Sequence, residues 1–100
     1  MLNLTFEKGK DGSAGVLHVE GELNMYVAAE LKAGLIENLA AADALDVELS
    51  GVGEIDTSGL QLLLLCKAEA ARMEKKVTFS AMSNAVTSLI ELYHMDEVFN

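Results

Sequence analysis

Asp56-Thr57-Ser58-Gly59-Leu60 sets a carboxylate and two hydroxyls together at the point where a strand-like pattern gives way to a leucine-rich run. A serine in that position offers two kinds of chemistry. It can act as a nucleophile in hydrolysis, or it can accept a phosphate. Upstream, Leu45-Asp46-Val47-Glu48-Leu49 alternates apolar and polar residues as a half-buried strand does. Downstream, Leu60 to Cys66 continues into Lys67-Ala68-Glu69-Ala70-Ala71-Arg72, which fixes the run as a helix. Ser58 is therefore expected at a helix N-terminus, where backbone N–H groups lack intrahelical partners and the dipole favours negative charge. Ser58 and Gln61 also fit a capping box, which predicts that the Ser58 hydroxyl caps the helix.

Hydrolase chemistry is poorly supported. A nucleophile elbow wants glycines two residues either side of the serine, but Asp56 and Leu60 stand there. His18 and His94, the two histidines, read as a strand-surface and a helix-end residue instead of a catalytic base. Gly51-Val52-Gly53 lacks the third glycine and the Gly-Lys-Ser/Thr of a phosphate-binding loop, so these glycines are read as turn residues. Two distant histidines and one cysteine offer no metal-ligand cluster, and no cofactor is expected.

The 100 residues are 51% hydrophobic and carry a net charge of −9, enough for one core and the wrong sign for a surface that grips nucleic acid or anionic membrane. Partners are expected to be proteins. No apolar run approaches the ~20 residues of a membrane span, and Met1 to Glu7 has no signal-peptide character, so a cytoplasmic location without membrane insertion is expected. Cys66, the single cysteine, reads as a packed thiol in the leucine-rich helix.

These chemical groups need a scaffold. Leu2 to Phe6 and Val16 to Glu20, separated by Lys8-Gly9-Lys10-Asp11-Gly12-Ser13, predict an N-terminal hairpin. Val27, Leu31, Leu35 and Leu39 recur every four residues and predict a first helix over 25–41 with Asn24 as N-cap. A third strand over 45–49, a helix over 58–73 and a fourth strand at Val77-Thr78-Phe79 follow. Val86, Leu89, Ile90 and Tyr93 then give the spacing of a third helix after Ser83-Asn84, with Val98-Phe99 as an apolar anchor. The order β-β-α-β-α-β-α predicts an α/β fold in a single domain over 1–100: a mixed, mostly parallel four-stranded sheet with helices mainly on one face.

Gly21-Glu22-Leu23-Asn24, Glu48-Leu49-Ser50-Gly51-Val52 and Ile55-Asp56-Thr57-Ser58-Gly59-Leu60, in that element order, resemble the STAS domain. That family includes bacterial anti-sigma factor antagonists, sulfate transporter tails and small lipid-transport subunits. The resemblance implies a non-enzymatic regulator of transcription. Its partner would be an anti-sigma factor that is also a serine kinase of the histidine-kinase-like ATPase type. Only the form unmodified at Ser58 would capture it. By the same resemblance Ser58 is the phosphoacceptor, and Asn24, Asp56, Thr57, Ser58 and Gly59 form the partner-facing surface. Asn24 stands where antagonists commonly carry an aspartate, and Glu48 replaces a frequent aspartate. The alternative implied by the family is a constitutive adaptor docked on a transporter ATPase of the lipid-transport type, without phosphorylation.

Overall fold

The computed structural model describes residues 2–10 and 13–99; Asp11 and Gly12, within the expected hairpin turn, lie outside the described residues. Strands β1 (Asn3–Lys8) and β2 (Ala14–Leu23) are followed by helix α1 (Ala28–Ala41), strand β3 (Ala44–Ile55) and helix α2 (Thr57–Arg72). Strand β4 (Lys76–Ser80), helix α3 (Asn84–Leu92) and a single turn, α4 (Asp96–Phe99), follow. The sheet order is β1-β2-β3-β4, with β1 antiparallel to β2 and the other two pairings parallel. Helices α1 and α2 each return the chain to the start of the next parallel strand, as such pairings require. The four-stranded mixed sheet and its element order agree with the sequence reading.

Alternation decides which face is covered. Leu17, Val19 and Leu23 of β2 and Leu45, Val47, Leu49 and Val52 of β3 are buried on the helix-covered face. They meet Leu31, Leu35 and Leu39 of α1, Leu60, Leu63, Cys66 and Ala70 of α2, and Val86 and Ile90 of α3 in one core. Each fully buried leucine contributes roughly 1.5–3 kcal/mol of transfer free energy, so this core is the main source of stability. The opposite face carries Thr5, Glu7, His18, Asp46, Glu48, Thr78 and Ser80, as the charged alternate positions of β3 predict. Asp46 is held there by hydroxyls of Thr78 (3.2 Å) and Ser80 (2.9 Å) from the neighbouring strand.

Several elements differ from the sequence reading. Strand β3 runs on through Gly51-Val52-Gly53 to Ile55, because β2 continues beside it and supplies pairing. The glycines are strand residues, and Gly53 is skipped at a register shift between Gly21/Val52 and Glu22/Glu54, as at a bulge. Helix α1 begins at Ala28 and not at Met25. Asn24 turns its side chain back on its own loop, accepting the Tyr26 N–H through Oδ1 (2.9 Å), while its carbonyl accepts the Val27 N–H (3.2 Å). That i to i+2 bond is of the kind an N-cap makes, but it serves a turn over residues 25–27 that precedes the helix. Val27 is the N-cap and makes no side-chain capping bond.

Both ends of α1 are thus short of local help, and the far end is supplied from elsewhere. The last turn of α1 has no basic residue of its own. Lys75, just before β4, donates from Nζ to the carbonyls of Leu39 (2.9 Å) and Ala40 (3.0 Å), placing a cation at the negative end of the helix. Phe99, the buried half of the expected Val98-Phe99 anchor, packs edge-on against Phe79 with ring centroids 5.3 Å apart. Val98 remains exposed.

Candidate functional site

The parallel strands β2 and β3 end level with one another, Leu23 opposite Ile55, and the sequence motif begins on the next residue. The Asp56 N–H donates to the Leu23 carbonyl (3.0 Å), which extends the β2–β3 connection by one bond and fixes where α2 starts. Asp56 is extended, with φ −109° and ψ −176°, and its Oδ1 accepts the Gly59 N–H at 3.1 Å. Its carbonyl accepts the Leu60 N–H at 3.1 Å. Asp56 is therefore the N-cap, and a carboxylate at this end of the dipole is favourably placed.

This corrects the capping-box reading. Ser58 is the second residue inside α2, and the Gln61 N–H that a cap at Ser58 would serve lies two residues beyond the one that Asp56 caps. The Ser58 side chain is half-buried and makes no hydrogen bond among the described residues. The residue named from its chemistry is thus relieved of structural duty, and the residue named as its acidic neighbour performs that duty.

Gly59 explains itself by distance. A Cβ built on it would lie 2.7 Å from the Leu23 carbonyl oxygen, 2.8 Å from the Leu23 Cβ and 3.0 Å from the Ile55 Cγ1. Only a residue without a side chain lets the first turn of α2 sit this close to the strand ends.

The structure brings Asn24, Asp56, Thr57, Ser58 and Gly59 to one end of the sheet, where β2 and β3 stop. Asn24 follows Leu23 directly, and Leu23 is the acceptor for Asp56. Thr57 is exposed, and its Oγ1 lies 3.2 Å from the Tyr93 hydroxyl. Tyr93, half exposed at 48%, is the C-cap residue of α3, so one hydrogen bond links the start of α2 to the end of α3. Sequence reasoning assigned Tyr93 to the apolar stripe of α3 and missed this role; the signal was its hydroxyl at the last position of that stripe. Met25 and Tyr26, exposed at 66% and 88%, flank the site from the β2–α1 loop. Leu92, beside Tyr93, is also exposed.

The histidines do not reach this group. His18 bonds to Glu7 and Glu48 on the open face of the sheet, and His94 is an exposed residue in the turn after α3. No histidine hydrogen-bonds to Ser58 among the described residues. Cys66 is buried, and burial pushes its thiol up to about 11. Among the described residues no group of histidines, cysteines and carboxylates is arranged to hold a metal, and no helix is long and apolar enough to cross a membrane.

Known proteins share this fold. An anti-sigma factor antagonist from Mycobacterium paratuberculosis superimposes with a TM-score of 0.85 at 24% identity, over 99% of this chain and 83% of that one. The STAS domain of an antisigma-factor antagonist from Rhodobacter sphaeroides gives 0.72 at 26% identity, over 85% and 91%. The Bacillus cell fate determinant SpoIIAA, in its phosphorylated form, gives 0.70 at 14% identity, over 97% and 86%. Residues 6–100 match the family model described as "Mlab, STAS domain". With the strand ends, the capped helix start and the Asp-Thr-Ser-Gly-Leu segment in the places found above, the chain belongs to the STAS domain family.

Proposed function

We propose that this protein is a non-enzymatic regulator of the anti-sigma factor antagonist type, which captures an anti-sigma factor that is also a serine kinase and releases it when Ser58 is phosphorylated. The observation that carries this reading is the division of labour at the start of α2: Asp56 caps the helix, leaving the Ser58 hydroxyl without a partner among the described residues. A phosphoryl group there adds about −1.5 to −2 charges. The helix N-terminus accommodates that charge, since its amides and dipole favour an anion. A partner docked over Asp56 and Ser58 meets two neighbouring negative groups instead of one, so the interface changes while the fold persists. The existence of SpoIIAA in a phosphorylated form supports the same chemistry in a similar fold. Asn24, Asp56, Thr57 and Ser58 are the contact residues in this reading, and Gly59, buried against the strand ends, frames them.

Incubation with ATP and each anti-sigma kinase of the host, followed by mass spectrometric mapping, tests it. Phosphate on Ser58, and a complex that forms with the unmodified protein alone, are expected. Neither modification nor complex with any of those kinases would remove this reading.

A second reading, a constitutive adaptor on a transporter ATPase, is favoured by Asn24. It supplies no charge to the surface, and its side chain is spent on the Tyr26 N–H. Co-purification separates the two, with a transporter ATPase recovered in one case and a sigma regulator in the other.

A further inference from the structure

The open face of the sheet holds a three-residue bridge that the regulatory reading does not use. His18 on β2 lies opposite Thr5 of β1 on one side and Glu48 of β3 on the other. Its Nδ1 is 2.8 Å from Glu48 Oε2, and its Nε2 contacts Glu7 Oε1, so one imidazole ties three strands. Two ring nitrogens that both face carboxylate oxygens must both donate, and only the protonated imidazolium has two N–H groups. A neutral ring sets one nitrogen lone pair against a carboxylate and loses that contact.

Glu7 is the contact that yields. The Glu48 side chain is only 20% exposed and is also held by the Ser50 N–H at 2.8 Å, whereas that of Glu7 is 68% exposed. Glu7 belongs to β1, an edge strand paired with β2 alone. Strand β1 places Leu4 and Phe6 against the core, with Leu4 lying over Gly34 of α1. We propose that the proton on His18 latches β1 to the sheet, so that β1 opens more readily once His18 is deprotonated and Glu7 is released.

The surroundings favour the proton. Glu7 from β1, Glu48 from β3 and Glu20 from β2 line the groove around the ring together with Thr5 and Ser50, and Asp46 is next but one to Glu48 along β3. Bonding to Glu48, then to Glu7, holds His18 above its ordinary 6.5. Bonding from Ser50, then from His18, holds Glu48 down at about 2. The signs define a window. The His18 contribution is fully present below 6.5 and is lost as pH rises through its raised folded value. The Glu48 contribution is fully present above 4.5 and is lost as pH falls toward about 2. The latch is complete between these limits.

Amide hydrogen exchange on the full chain, followed by NMR from pH 5.5 to 8.5 and corrected for intrinsic rates, tests the latch alongside titration of the His18 ring protons. Protection of the β1 amides should fall by about threefold, the scale of an exposed ion pair, with the midpoint of the His18 titration. The β3–β4 amides should not follow it. Glu7→Gln should move the His18 midpoint down and abolish the pH-linked change in β1. Protection of β1 that is flat through the His18 titration, or a His18 midpoint at or below 6.5, would overturn the proposal.

Discussion

The Leu23 carbonyl serves two neighbours at once: it accepts the Asp56 N–H at 3.0 Å, and it stands 2.7 Å from where a side chain on Gly59 would begin. The first contact holds the oxygen in place, so it cannot retreat from the second. In an ordinary helix, glycine to alanine gains about 0.5–1 kcal/mol. Here the sign reverses. Gly59→Ala is expected to destabilise by about 1–3 kcal/mol, the usual cost of overpacking, as a lower urea midpoint with an unchanged slope. A variant as stable as the parent would show that the strand ends can give way.

Asp56 and Ser58 should separate cleanly in the same assay. Asp56→Ala removes the cap and is expected to cost about 0.5–2 kcal/mol. Ser58→Ala removes a hydroxyl with no hydrogen-bond partner among the described residues and should stay within about 0.5 kcal/mol of the parent. Equal losses for the two would restore Ser58 as a structural residue.

In binding, Ser58→Ala is expected to hold the partner constitutively and Ser58→Asp to hold it at least about tenfold more weakly, or 1.4 kcal/mol, by isothermal calorimetry. Equal affinities would remove the switch and leave the adaptor reading.

Ala81, between β4 and α3, has φ of 50°, a left-handed conformation that costs an L-residue about 1–2 kcal/mol. Ala81→Val should destabilise by a further ~1–2 kcal/mol, since a β-branched side chain is the least tolerant there. Ala81→Gly relieves the strain and should offset its own chain-entropy cost, leaving stability equal or higher. Thermal melts of the pair give the order Gly, Ala, Val from most to least stable.

Cys66 is buried and its thiol is pushed up to about 11 by desolvation, so the folded protein should resist a thiol reagent at pH 8. Labelling should follow global unfolding, appearing across the same urea transition as the loss of circular dichroism. Prompt labelling in buffer would place the thiol at the surface.

The architecture was legible because residues 17–20 of β2 and 45–49 of β3 alternate in and out of the core and because Leu31, Leu35 and Leu39 form one stripe, so the two periods separate without help from the rest of the chain. What was hidden depended on choices between similar local bonds. Asn24 makes the i to i+2 bond of a cap, but the three residues after it form a turn, and the sequence does not show that the helix waits until Ala28. Asp56 and Ser58 both carry capping oxygens within three residues, and the Leu23 carbonyl, 33 positions before Asp56, settled the matter by fixing the Asp56 backbone. Gly51 and Gly53 read as a turn because pairing from β2 is not visible locally. Tyr93 looked like a core residue, since nothing in α3 announces Thr57 as its partner.

Because the helix start is anchored through Asp56 and merely displayed through Ser58, the two positions answer to different selective filters. A library randomised at residue 58 should pass a folding screen almost whole and thin out only when screened for partners. One randomised at residue 56 should lose many members at the first step, before binding is ever asked of them.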